Sequence, residues 1–145
     1  MIVTTKEIKK KLRAEVPGLA DTKLDMDILL RDPAYKLLSL LTFEKIKAMC
    51  SMQGMKFIPD VFDCDDYALV LRARFRQLQY DLIQAYPPMD KQYAWFFPEC
   101  LSVHAIHGPH NTNITITDDW VIRYTEPQTN EMTTKFNGKI YFIDG

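Results

Sequence analysis

The sequence lacks any long apolar run: no stretch approaches the roughly 18 residues that suggest a membrane-spanning helix, so no transmembrane segment is expected. It also lacks a charge excess. Lys and Arg number 18 against 19 Asp and Glu, giving a net charge of −1 and a pI near 6.3. That balance argues against an electrostatic grip on nucleic acid. The N-terminus, MIVTTKEIKKKLR, has no apolar core of secretory type. No signal peptide is expected, and the chain reads as cytoplasmic or as belonging to a phage or host-cell interior. Cysteine is sparse and odd in number: Cys50, Cys64 and Cys100, with no CxxC spacing. This suits free thiols in a reducing compartment better than a disulfide framework. There is no internal repeat and no low-complexity segment.

What is present fits one ordinary domain. At 145 residues, 47% apolar and 26% charged, the chain can bury a core without disulfide or metal staples. It reads as a single domain, 1–145, with a helical part over 1–54 and a core over 55–145. The pattern predicts a capped helix from Thr5 to the Pro17-Gly18 stop, with Lys9, Lys10, Lys11 and Arg13 on a solvated face. Residues 24–30 read as irregular, because Arg31-Asp32-Pro33 interrupts them. A helix over about Ala34 to Leu41 follows, and Thr42 caps another from Phe43 to about Gln53, ended by Gly54. Asp63 is a good N-cap for a long helix from Cys64 to about Ala85, with Asp66 placed for a capping box. Cys64, Ala68, Leu71, Phe75 and Leu78 form its apolar stripe; Arg72, Arg74 and Arg76 lie off it and read as solvated. After Pro87-Pro88 the pattern turns to strands. These are Tyr93 to Phe97, Leu101 to Ala105, a hairpin over 111–125 turning at Asp118-Asp119, and Lys139 to Ile143 after Asn137-Gly138. Helices followed by an antiparallel sheet give an α+β class.

Two features carry chemistry. Cys64 would occupy the first turn of its helix, where unpaired backbone N–H groups and the helix dipole favour a thiolate and can hold an oxyanion. Asp63, Asp65 and Asp66 oppose that ionisation unless they point away or a divalent cation or imidazolium neutralises them. The second feature is the hairpin. Its even positions are His110, Thr112, Ile114 and Ile116, then Trp120, Ile122, Tyr124 and Glu126, which mark a buried face. A connection with an odd number of residues, such as Thr117 to Asp119, places His110 and Glu126 opposite each other on that face. A two-residue turn would place them on opposite faces. In the first case Glu126 orients the imidazole while its other nitrogen faces a thiol. His104 and His107 remain alternative bases. The spacing of the three histidines also invites zinc, but Gly108-Pro109 breaks any helix there and no cysteine lies at a zinc spacing, so no structural zinc site is expected. Read alone, a cysteine on an apolar helix stripe such as Cys64 is usually a core thiol.

Two strings add a resemblance. Phe62-Asp63-Cys64-Asp65-Asp66-Tyr67-Ala68 and Thr125-Glu126-Pro127-Gln128-Thr129 resemble the paired signatures of a papain-like cysteine protease family. Its best-known member is the C-terminal domain of Marasmius oreades agglutinin, and its phage and bacterial relatives are of unknown role. His110-Asn111-Thr112-Asn113 fits the family's His-x-x-Asn strand. The Asp-Cys-Asp-Asp string is similar, too, to bacterial transglutaminase-like peptidases. The resemblance spans roughly residues 55 to 145. It implies a papain-like fold, N-terminal helices with a catalytic Cys at a helix N-terminus packed on an antiparallel sheet. It implies Cys64 as nucleophile, His110 as base and Glu126 as third member, with Gln128 and Asn113 in support. It also implies calcium dependence, carried to Asp65 and Asp66, although nothing in the sequence requires a cofactor. His104 precedes Ala105, as the family's histidine often precedes alanine. The oxyanion donor is unassigned; Gln53 is the upstream glutamine, and it lies far from Cys64.

The expected activity is that of a thiol hydrolase, a cysteine peptidase or amidase working through a thioester on a peptide or amide substrate. Acyl transfer uses the same triad. The competing class is an inactive papain-like phage or mobile-element protein that binds another protein. Neither nucleic acid nor membrane is an expected partner, and the substrate and oligomeric state stay open.

Overall fold

The computed structural model describes residues 1–19, 27–58, 63–87 and 92–145. The sequence readings at 24–26, Phe62 and Pro88 lie outside the described residues. In chain order the elements are β1 (Ile2–Thr4), α1 (Thr5–Glu15), β2 (Ile28–Leu29), β3 (Ala34–Lys36), α2 (Leu40–Met49), α3 (Cys64–Ala85), β4 (Ala94–Trp95), β5 (Glu99–His104), β6 (Gly108–Ile116), β7 (Ile122–Thr125), β8 (Met132–Thr133) and β9 (Gly138–Asp144).

Thr4, one residue earlier than expected, caps α1. Its hydroxyl accepts from the Glu7 amide while the Glu7 carboxylate accepts from the Thr4 N–H. Ile8 and Leu12 form the buried face. Lys11 is not solvated as expected: it is buried, paired with Glu15 at 2.7 Å, and its ammonium lies 5.2 Å from the centre of the Trp120 ring. The helix expected over 34–41 does not form. That segment gives β3, antiparallel to β1 and parallel to β4, with Tyr35 buried. Pairing with the N-terminal strand wins over a weak helical period there. Ser39, rather than Thr42, then caps α2.

The larger sheet has the order β2-β9-β5-β6-β7-β8 among the described residues, antiparallel except for the parallel pair β2/β9. Both of its faces are covered. On one face Cys100, Ile114, Ile116, Ile122, Tyr124 and Ile140 pack with Ile8 and Leu12 of α1. On the other, the Asn113 side-chain amide donates to the Ala68 carbonyl of α3 at 3.0 Å. There Tyr67, Leu71 and Phe75 of α3 join Phe43 and Ile46 of α2 and Phe97. Phe75 and Phe97 stack at 3.9 Å between ring centres.

The arginines of α3 correct the expectation of a solvated face. Arg72 reaches Glu99 at 3.3 Å and Asp144 at 3.2 Å, tying α3 to β5 and β9. Arg74 donates to the Ser51 carbonyl at 2.8 Å, and Arg76 lies 3.9 Å from Asp32. The hairpin also differs in detail. Ile116 pairs with Ile122, so the connection is Thr117 to Val121, and Trp120 sits in it with φ +63° instead of in the strand. No helix among the described residues is long and apolar enough to cross a membrane.

Candidate active site

Cys64 is the first residue of α3, and its surroundings are set by the cap. The Asp63 carboxylate accepts from the Asp65 N–H, and the Asp66 carboxylate accepts from the Asp63 N–H at 3.2 Å. Cys64 is partly exposed. One ligand atom each of Asp63, Cys64 and Asp65 lies within 4.8 Å of the others. The Asp63 carboxyl is pushed above its ordinary value, first by the hydrogen bond with the Asp65 side chain and then by burial and the Asp65 charge. Behind this turn, Asp65, Asp66, Glu99, Asn111 and Asp144 help line a cavity of about 240 Å³. Burial raises the Glu99 pKa, with Asp144 adding to the rise and Arg72 opposing it. A set of hard carboxylate and amide oxygens of this kind suits calcium in its donor chemistry.

The hairpin supplies the second half of the candidate site. His110 Nε2 lies 2.6 Å from Glu126 Oε2, and Glu126 Oε1 accepts from the Gln128 backbone N–H at 3.2 Å. Burial raises the Glu126 pKa most, but the hydrogen bonds from His110 and Gln128 outweigh it and the net shift is downward. Continuing the β6–β7 register puts Thr112 opposite Glu126, so His110 reaches it diagonally, one pair further along the same face. The two front a cavity of about 650 Å³ shared with His104, His107, Thr112 and Tyr124. Lys47 of α2 also lines it and donates to the Asn130 carbonyl at 2.6 Å. Nothing in the sequence links those two residues, 83 positions apart.

The remaining sequence-derived residues are placed as follows. Gln128 serves the site through its backbone N–H. Asn113 points away from His110 and holds α3. His104 Nδ1 accepts from the backbone N–H groups of Ile106 and His107 at 3.2 and 3.4 Å. The Gln53 amide donates to the Thr129 carbonyl at 2.9 Å, so it is committed to the turn after Glu126 rather than free as an oxyanion donor.

The link between Cys64 and the His110–Glu126 pair is open in the described arrangement. Cys64 does not line the larger cavity, and no hydrogen bond joins it to either residue. β6 has a two-residue period. His110 shares the face of Ile114 and Ile116 under α1, while Asn111, Asn113 and Thr115 face α3. The sequence pattern assigns the hairpin one buried face, and both of its faces are covered. However, β7 ends at Thr125, opposite Asn113, so residues 108–112 of β6 have a strand partner only on the β5 side. At the level of His110 the two faces meet around an open strand edge.

No protein-family model matches the chain, and no curated protein matches it. Solved structures do. A complex of PSL1a with E64 superposes with a TM-score of 0.79 at 18% identity, covering 99% of this chain and 51% of that one. A Polyporus squamosus lectin, bound to the human-type influenza-binding epitope Neu5Acα2-6Galβ1-4GlcNAc, superposes with a TM-score of 0.77 at 18% identity. It covers 99% of this chain and 49% of that one. The chain thus spans about half the length of the solved chains it matches. At this identity the likeness establishes the fold, and the chain has the α+β, papain-like fold of the PSL1a structure.

Proposed function

We propose that the chain is a thiol hydrolase, a cysteine peptidase or amidase with Cys64 as nucleophile, His110 as base and Glu126 as the group that orients it. The observation that carries this reading is the 2.6 Å His110–Glu126 pair, set on a fold shared with a PSL1a complex of the cysteine-protease inhibitor E64. With the proton of His110 held on Nε2 by Glu126, Nδ1 carries the lone pair that a thiol proton needs. His110 takes the proton from Cys64, and the thiolate adds to the carbonyl carbon of a peptide or amide. Backbone N–H groups at the start of α3 hold the oxyanion. The intermediate collapses to a thioester as His110 gives its proton to the leaving amine. Water, deprotonated by His110, then releases the acid and restores the thiol.

This chemistry requires Cys64 Sγ and His110 Nδ1 to come within hydrogen-bond reach. Residues 108–112 of β6 have no partner on the β7 side, which leaves that strand edge open to such an approach. Asp65 and Asp66 are the residues that would hold calcium. Such an ion supplies positive charge where carboxylates oppose ionisation of the thiol. The second reading, a papain-like scaffold that binds a protein without turnover, is favoured by the lack of a hydrogen bond between Cys64 and either residue of the pair.

E64 itself separates the two. Incubation with E64 followed by mass spectrometry should give a single adduct on Cys64, absent from Cys64→Ala. An unmodified Cys64 under every condition, calcium included, would put the binding reading first.

A further inference from the structure

All three histidines of the chain stand on the rim of the cavity that holds Glu126. No helix gathers them. His104 ends β5, His110 lies near the start of β6, and the tight turn between carries His107. The ring centres are 4.7 Å apart for His104 and His107, 5.8 Å for His107 and His110, and 6.1 Å for His104 and His110. Two imidazoles on one tetrahedral zinc ion, each at about 2.1 Å, have ring centres roughly 5 Å apart. The 5.8 Å between His107 and His110 is close to the separation of rings that share an ion.

Their nitrogens differ in what they can give. Glu126 accepts from Nε2 of His110 and leaves the lone pair on Nδ1, the carboxylate–imidazole arrangement that commonly stands behind a metal ligand. The ring nitrogens of the exposed His107 form no hydrogen bond to any described residue. His104 spends Nδ1 on two backbone N–H groups, which leaves it a protonated Nε2. It braces the turn and stacks on His107.

We propose that His107 and His110 bind a transition-metal ion of the zinc class, with Glu126 behind His110 and water in the remaining positions. Borderline-soft ions favour imidazole nitrogen, whereas the carboxylates beside Cys64 favour hard cations, so the two halves of the molecule differ in the ions they attract. The consequence for chemistry rests on the thiol-hydrolase reading: an ion on His110 Nδ1 occupies the lone pair that receives the Cys64 proton, and the site acts as an off switch.

The test titrates Zn²⁺ alone into the untagged chain by calorimetry, without substrate, so it reads binding whether or not the chain is a hydrolase. One equivalent should bind to the natural chain and to Cys64→Ala, and at least tenfold more weakly to His107→Ala and His110→Ala. His107 is exposed, so its variant keeps the fold; circular dichroism checks His110→Ala. No binding by the natural chain, or unchanged affinity in His107→Ala, overturns the proposal. Loss of binding in Cys64→Ala also overturns it, because the ion then sits at the start of α3.

Discussion

Glu126 illustrates at the scale of one residue how position and partners compete. Burial raises its pKa, and the hydrogen bonds from His110 and Gln128 outweigh that rise. Its folded-state pKa lies below the ordinary glutamate value, so its contribution to stability is present above that value and fades as pH falls through the folded-state one. Glu126→Gln should therefore lower stability at neutral pH and flatten the stability–pH curve below about pH 4.5. Thermal melts from pH 3 to 7 check this. A wild-type-to-variant difference that stays constant with pH would remove ionisation from the account. The pair was legible in the sequence because period two put both residues on one face and the connecting loop is odd. Its diagonal geometry was not, because the loop has five residues, Thr117 to Val121, where Asp118-Asp119 suggested three.

At the scale of elements, α3 was the most legible. Asp63, Asp66 and the apolar stripe act within a few residues of one another, and the helix starts at Cys64 and ends at Ala85 as its pattern predicts. β6 was the least legible. Asn113 is fully buried, and Asn111 and Thr115 nearly so. Asn113 donates to the Ala68 carbonyl, and the Thr115 hydroxyl donates to the Phe96 carbonyl at 2.8 Å. Polar residues with backbone partners of this kind can fill a covered face, so their polarity does not report exposure. For the same reason the sequence concealed which face of β6 meets α3. Asn113→Ala should cost about 1–3 kcal/mol, because the Ala68 carbonyl loses its side-chain donor in a buried site. Urea unfolding measures it. A neutral result would mean that α3 is held by its apolar face and Arg72 alone.

For the whole molecule, a mixed sheet lies between α1 on one side and α2 with α3 on the other, and the His110–Glu126 pair stands at an open strand edge. The α+β class was legible from the order of helical and alternating segments. The short strands β1 to β3 were not, since each depends on a partner distant in sequence. The central claim is that Cys64 is activated by the His110–Glu126 pair. The most direct measurement is the rate of iodoacetamide labelling at each cysteine at neutral pH, read by mass spectrometry, in the natural chain and in His110→Ala. Cys50 and Cys100 are buried, and burial pushes the Cys50 thiol up to about 11 and that of Cys100 well above its ordinary value, so both serve as slow internal references. The account expects Cys64 to react at least tenfold faster than either and to slow severalfold in His110→Ala. A Cys64 rate that is unchanged in His110→Ala would contradict it, because the thiol would then owe its reactivity to exposure and the helix start alone.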